Sequence, residues 1–306
     1  MPLVVPPLPD LPTAEPPTDD EEVQEVIEVT QTFSTRELLR HKDFGELSAE
    51  ELTNIKQLIA QLVWQLGQRR TRRQKIGHGR NLALRRSLRR NLRYGGEMLE
   101  WSYKEPKIKP RPLVILADVS GSMERYTRLL VHFFYSLTQG LAQPVEVFLF
   151  STRLTRITRQ LAHKNVDQAL DEVGTAVHDW AGGTRIGEAI KSFNFDWSRR
   201  VLRGGAIVLL ISDGWDRGDP AVLGKEIDRL HKLCHRLVWL NPLLGSQEYE
   251  PLTRGIVAAL PHIDDFLPVH NLASLEELAG HLRQLDGRRQ GHGRSALSLR
   301  GAAFSR

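Results

Sequence analysis

A chain of 306 residues, 41% of them hydrophobic, carries enough apolar material for one sizeable α/β core plus a smaller accessory region, and no apolar run approaches the roughly 20 residues that a membrane-spanning helix needs. The net charge of +5 conceals an asymmetry: residues 1–30 hold Asp10, Glu15, Asp19, Asp20, Glu21, Glu22, Glu25 and Glu28 with no Lys or Arg, whereas residues 68–93 hold many bases and no Asp or Glu. Cys234 is the only cysteine, which excludes an intrachain disulfide, and Met1-Pro2-Leu3-Val4-Val5-Pro6-Pro7 does not read as a secretory signal, so a cytoplasmic chain is expected.

Residues 1–30, rich in proline and acid, are expected to be a disordered tail. A capping box at Ser34-Thr35-Arg36-Glu37 predicts a short helix, and a second at Ser48-Ala49-Glu50-Glu51 predicts a longer one, because Leu52, Ile55, Ile59, Leu62 and Leu66 recur at steps of three and four. The basic stretch follows as Arg69, Arg70, Arg72, Arg73, Lys75 and Arg80, then Arg85, Arg86, Arg89, Arg90 and Arg93 interleaved with Leu82, Leu84, Leu88 and Leu92. Asn81 to Arg93 therefore reads as a basic amphipathic helix, and residues 31–104 as a small, Arg-rich α-helical region. Clustered arginines suit phosphate contacts. The favoured reading is a solvated helix face, open to neutralisation by the acidic tail or an acidic partner, because no aromatic residue interleaves the arginines before Tyr94, which weighs against nucleic acid. Lys104 to Pro112, with three prolines, reads as a connector.

From Leu113 onward, short apolar runs alternate with helical patterns, which predicts a doubly wound, mostly parallel α/β sheet over residues 110–286. The expected elements are a buried strand at Leu113–Asp118, a helix at Met123–Leu141, a strand at Val145–Phe150 and an antiparallel edge strand at Arg153–Thr158. A helix at Asn165–Val177, a strand from Ala206 that ends in Asp213, a helix capped by Asp219-Pro220, and a strand at Leu237–Leu240 come next. Pro251–Ala259 is expected to be a short helix, Asp265–Val269 the last strand, and Ser274-x-x-Glu277 the cap of a helix to Leu285. Residues 287–306 read as a disordered basic tail.

The first central strand ends in Asp118-Val119-Ser120-Gly121-Ser122, the second in Ser212-Asp213-Gly214, and Gly182-Gly183-Thr184 precedes a helix between them. In an open α/β sheet such groups collect beyond the carboxyl ends of the central strands. Asp118, Ser120, Ser122, Thr184 and Asp213 would then present an all-oxygen set suited to Mg²⁺, with Mn²⁺ or Ca²⁺ as substitutes. Helix capping and loop hydrogen bonds are the structural alternative for each piece alone. Trp215 and Asp216 follow Asp213 directly and are candidate partner contacts, with Arg85, Arg86, Arg89 and Arg90 as a second surface. His231-x-x-Cys234-His235 lacks the further ligand that a zinc site needs. No Gly-x-Ser-x-Gly surrounds Ser120, and no P-loop motif occurs. A metal-dependent hydrolase is the weakest reading, because no evident general base adjoins the five oxygens.

The ordered set resembles the metal-ion-dependent adhesion site of von Willebrand factor A (VWA) domains. Asp118-Val-Ser-Gly-Ser-Met123, Phe148-Leu-Phe-Ser-Thr-Arg-Leu-Thr-Arg-Ile157, Asp179-Trp-Ala-Gly-Gly-Thr-Arg-Ile-Gly187, Ser212-Asp-Gly-Trp-Asp-Arg-Gly-Asp-Pro220, Trp239-Leu-Asn-Pro242, Ala258-Ala-Leu-Pro-His262 and His270-Asn-Leu-Ala-Ser274 together resemble the CoxE-like VWA proteins. The resemblance spans about residue 34 to residue 285 and marks 110–286 as the VWA domain. It implies a non-enzymatic accessory protein whose bound metal takes a carboxylate from a partner. The implied partners are a MoxR-type AAA+ ATPase and a client metalloenzyme such as a molybdenum-containing carbon monoxide dehydrogenase.

Overall fold

The computed structural model describes residues 37–163, 166–176, 183–245 and 253–285. The Ser34 cap, both tails and the Asp179-Trp180-Ala181 stretch lie outside the described residues. The chain divides into two units, residues 1–41 and 42–306. In the first, residues 37–41 are helical, and Arg40 Nη1 lies 3.5 Å from Glu37 Oε1.

The first α-helix of the second unit is α1 (Ala49–Gln61), whose capping box forms as the sequence predicts: Ser48 Oγ accepts from Glu51 N and Glu51 Oε2 accepts from Ser48 N. Lys42 also donates to the Glu51 carboxylate, and together these bonds hold its pKa down at about 2. Ile55 and Ile59 are buried, but the helix stops five residues short of Leu66 because Leu62 turns extended. Beyond it burial alternates, with Trp64 and Leu66 inside and Val63 and Gln65 outside. Leu62 and Leu66 fit a helical step of four and an extended step of two equally well. Seating Trp64 against Phe133, with centroids 5.2 Å apart, selects the extended form.

The region 68–110 differs from the expected helices and connector. It contains a three-stranded antiparallel sheet, in which β1 (Gln68–Gly77) pairs with β3 (Tyr103–Pro110), and β3 pairs on its other edge with the short β2 (Asn81–Leu82). The arginines of β1 thus lie on a strand, and the helix α2 (Leu84–Asn91) is confined to part of the predicted basic segment. Prolines that suggested a connector fit inside β3 because β2 covers only Tyr103 and Lys104, so Pro106 and Pro110 have a strand on one side alone.

The larger sheet has six strands in the order β6-β5-β4-β7-β8-β9, with β4 (Leu113–Asp118), β5 (Val145–Phe150), β7 (Ile207–Ile211), β8 (Arg236–Asn241) and β9 (Asp265–Pro268) parallel and only β6 (Leu154–Arg156) antiparallel. This is the expected doubly wound α/β architecture. Every residue of β4 and β7 is buried, as continuous apolar runs require when helices cover both faces. Alternate residues Val114, Leu116, Phe148, Phe150, Val208, Leu210 and Trp239 form one core with Ile186, Ile190, Leu223, Ile227 and Ile256 of the covering helices. Those helices are α5 (Ile186–Ser192), α7 (Pro220–Leu233) and α8 (Arg254–Ala259), while α3 (Glu124–Gly140) buries Leu129, Phe133, Phe134 and Leu137. Between β5 and α5, and after α5, lie α4 (Val166–Ala176) and a π-helical segment Phe193–Trp197 leading into α6 (Ser198–Val201).

Asp219 caps α7 through its bond from Ala221 N, as its sequence position predicts. The last helix, α9 (Leu272–Gln284), starts earlier than Ser274: Asn271 is the cap and Ser274 the reciprocating partner. No described helix is long and apolar enough to cross a membrane.

Candidate metal centre

The chain order of the large sheet reverses at β4, which pairs with β5 on one side and β7 on the other. A cleft at the carboxyl ends of these strands is where such sheets bind ligands. Asp118 is the last residue of β4, and Ser212-Asp213 follow β7 immediately, so two fully buried strands deliver both carboxylates to the same edge.

Three loops converge there. Asp118 Oδ1 accepts from Ser120 N at 2.9 Å and lies 3.5 Å from the Thr184 hydroxyl, while its Oδ2 accepts from Ser212 Oγ at 3.0 Å. The turn Gly121–Met123 brings Ser122 Oγ to 3.2 Å from Ser120 Oγ. Ser120, Thr184 and Asp213 are buried, and Ser122 is exposed at the rim. Asp213 Oδ1 accepts from Trp215 N at 3.0 Å, and its carbonyl accepts from Asn241 Nδ2 at 3.3 Å. The structure therefore brings Asp118, Ser120, Ser122 and Thr184 together through a chain of hydroxyl and carboxylate contacts. Asp213 lies near enough for its charge to act on Asp118.

Burial, and then the Asp213 charge, raise the Asp118 pKa to about 7, against which the bonds from Ser120 and Ser212 act. A pair of buried like charges is costly unless a cation joins it. Five oxygens without thiol or imidazole match a hard divalent ion, so the residues present fit Mg²⁺. Among the described residues there is no cluster of three or more His, Cys, Asp or Glu able to hold a metal. Two carboxylates with three hydroxyls differ from that pattern. Two members of the alternative zinc trio are otherwise occupied: His231 Nε2 sits 3.2 Å from Asp264 Oδ1, and Cys234 Sγ is 3.6 Å from the His231 carbonyl.

Loop positions are fixed by residues outside the five candidate ligands. Ser212 bridges Asp118 Oδ2 and Gly214 N, and Trp239 Nε1 holds the Ser212 carbonyl at 2.9 Å. Their sequence signal is a polar residue closing an apolar run, and Asn241 at the end of β8 shows the same. Gly214 has φ +83°, and a Cβ there would stand 2.3 Å from Ile256, so the backbone after Asp213 needs glycine. Asp216 accepts from Ile186 N at 3.0 Å and Gly218 N at 2.9 Å, and Arg217 N donates to the Thr184 carbonyl at 3.0 Å. The loop after β7 thereby clasps the Gly-Gly-Thr loop. Trp215, next in line, is 63% exposed. Arg85, Arg86, Arg89 and Arg90 are exposed on α2, outside the loops that carry the five oxygens.

The sequence profile of the family described as "VWA domain containing CoxE-like protein" matches residues 55–275. No curated protein matches. Among solved structures, the chain is similar to proximal thread matrix protein 1 from the mussel byssus, with 16% identity over 56% of this chain and 46% of that one and a TM-score of 0.40, so it spans less than half of that protein. It is also similar to a von Willebrand factor type A from Catenulispora acidiphila, with 16% identity over 58% of this chain and 43% of that one and a TM-score of 0.43. A conserved hypothetical protein BatB from Bacteroides thetaiotaomicron is 17% identical over 56% of this chain and 96% of its own, with a TM-score of 0.38.

Proposed function

The chain belongs to the family of CoxE-like proteins that contain a VWA domain, and from that premise we propose that it is a non-enzymatic adaptor that binds Mg²⁺ through Asp118, Ser120, Ser122, Thr184 and Asp213 and docks an acidic residue of a partner protein. The observation that carries this reading is the meeting of three sequence-distant loops on Asp118, whose Oδ1 lies 3.5 Å from Thr184 Oγ1 and whose Oδ2 lies 3.0 Å from Ser212 Oγ. Hydroxyl ligands leave much of a divalent ion's charge uncancelled, so the bound ion supplies a position for an outside carboxylate. Around it the chain's own residues do the rest. The Ser120 amide and Ser212 hydroxyl orient the Asp118 carboxylate, the Asp216 and Arg217 contacts hold Thr184 in place, and exposed Trp215 offers apolar surface beside the rim.

Family membership supports a MoxR-type AAA+ ATPase as the partner, with a metalloenzyme such as a molybdenum-containing carbon monoxide dehydrogenase as client. The test is titration calorimetry with Mg²⁺, followed by co-purification with a MoxR-type ATPase. Asp118→Ala is expected to stay folded, to lose Mg²⁺ binding and to release the ATPase, and EDTA is expected to release it from the wild type. An ATPase retained in both conditions refutes the docking role.

A further inference from the structure

Helix α2 is turned against its own hydrophobic pattern. Its inward side is polar: Ser87 and Asn91 are buried, and Leu84, Leu88 and Leu92 are 57%, 51% and 71% exposed. The orientation is held from the inside. Asn91 Oδ1 accepts from Leu99 N and Glu100 N at 2.8 Å each, its Nδ2 donates to the Ser87 and Glu100 carbonyls at 2.7 Å each, and Ser87 Oγ accepts from Ser102 N at 2.9 Å. Rolling the leucines inward would break all of these.

At about 100° per residue, Arg85 and Arg89 border the leucine stripe. Arg90 is held by Glu100 at 2.7 Å, but among the described residues Arg85, Arg86 and Arg89 have no acidic partner. The face is thus apolar along one line and positive beside it.

We propose that the outward face of α2 and of the 3₁₀ turn Leu92–Tyr94 that continues it, formed by Leu84, Leu88 and Leu92 with Arg85 and Arg89, docks an acidic amphipathic helix of a partner protein. The leucine spacing of four suits the i, i+4 anchors of helix-on-helix recognition, and the uncompensated arginines select glutamate or aspartate along the flank of that helix. Nucleic acid is disfavoured because exposed leucines add nothing to phosphate contacts, and the arginines are not interleaved with the aromatic side chains that stack bases. This surface goes beyond the metal centre and does not depend on it.

The probe is a fluorescein-labelled helical peptide of about 18 residues, with Leu and Ile at steps of three and four and Glu elsewhere, compared by anisotropy with a scrambled peptide of the same composition. The full chain is expected to bind the first and not the second, in EDTA as well as in Mg²⁺. Leu88→Ser with Leu92→Ser is expected to weaken binding at least about tenfold, as is Arg85→Gln with Arg89→Gln, with unchanged melting because all four positions are exposed. Equal binding of the scrambled peptide, or leucine variants that bind normally, overturns the proposal. So does DNA that displaces the peptide from wild type and leucine variants alike, or a wild-type dimer that the leucine variants make monomeric. Peptide binding that requires Glu21, Glu22, Glu25 and Glu28→Gln would give the face to the chain's own acidic segment and overturn it too. Loss of the ATPase with Asp118→Ala while peptide binding persists in EDTA separates the failure of one site from failure of the other.

Discussion

Replacing Asp118 by Asn tests whether the candidate centre is built for a cation. The Asp118 pKa rises from 3.8 to about 7 in the folded chain. Its folded form therefore keeps a proton that the unfolded chain releases, and stability falls as pH rises from about 4 to about 7, staying low above that. At 1.36 kcal/mol per pKa unit the full cost is about 4 kcal/mol, reached near pH 8, whereas near pH 5 it is no more than about 2 kcal/mol. Asn carries no such cost. It keeps an acceptor for Ser120 N and offers its amide to Ser212 Oγ, with a mismatch penalty of about 1 kcal/mol. Urea denaturation in EDTA should show the variant close to wild type near pH 5 and about 3 kcal/mol more stable near pH 8. Adding Mg²⁺ near pH 8 should nearly close that gap, because an ion at a hundred times its Kd adds about 2.7 kcal/mol to the wild type and nothing to the variant. A stability gap that does not change with pH, or an equal Mg²⁺ response in both proteins, refutes the reasoning.

Two further substitutions probe what positions the two surfaces. Gly214→Ala places a Cβ against Ile256 at a backbone with φ +83°, so it should cost at least about 2 kcal/mol by urea denaturation and weaken Mg²⁺ binding by calorimetry. Asn91→Ala strips the backbone of residues 99–100 of its buried partners and should cost about 2–3 kcal/mol while leaving Mg²⁺ binding unchanged, since Asn91 lies outside the loops of the centre.

The convergence of the candidate loops is legible in the sequence because its signals are local. Asp118 and Ser212-Asp213 close runs of apolar residues long enough for a strand and too short for a helix, and the loops that follow carry the turn residues such strand ends require. Their convergence follows from the handedness and order of a doubly wound sheet, which the alternating pattern announces. What escaped was the support. Asp216, beside a candidate metal ligand, reads as a partner contact, yet its Oδ1 is bonded to the Ile186 and Gly218 amides, and the first of these joins residues thirty apart, which no spacing rule contains. β1 escaped for the opposite reason. A strand exposed along nearly its whole length needs no apolar alternation, so Gln68–Gly77 reads only as a run of bases.

Helix α2 shows why a hydrophobic pattern gives the period of an element more reliably than its orientation. Leucines exposed in the folded chain are exposed in the unfolded chain too, so leaving them outside forfeits a gain without adding a cost. A backbone amide buried without a partner costs about 1–3 kcal/mol. Asn91 alone satisfies two amides and two carbonyls, and Ser87 a further amide. Turning the helix to bury Leu84, Leu88 and Leu92 would gain about 1.5–3 kcal/mol for each leucine fully buried, but would break the bonds holding residues 99–102. The polar side faces inward because the neighbouring segment has amides to satisfy, and the apolar side remains for whatever covers it.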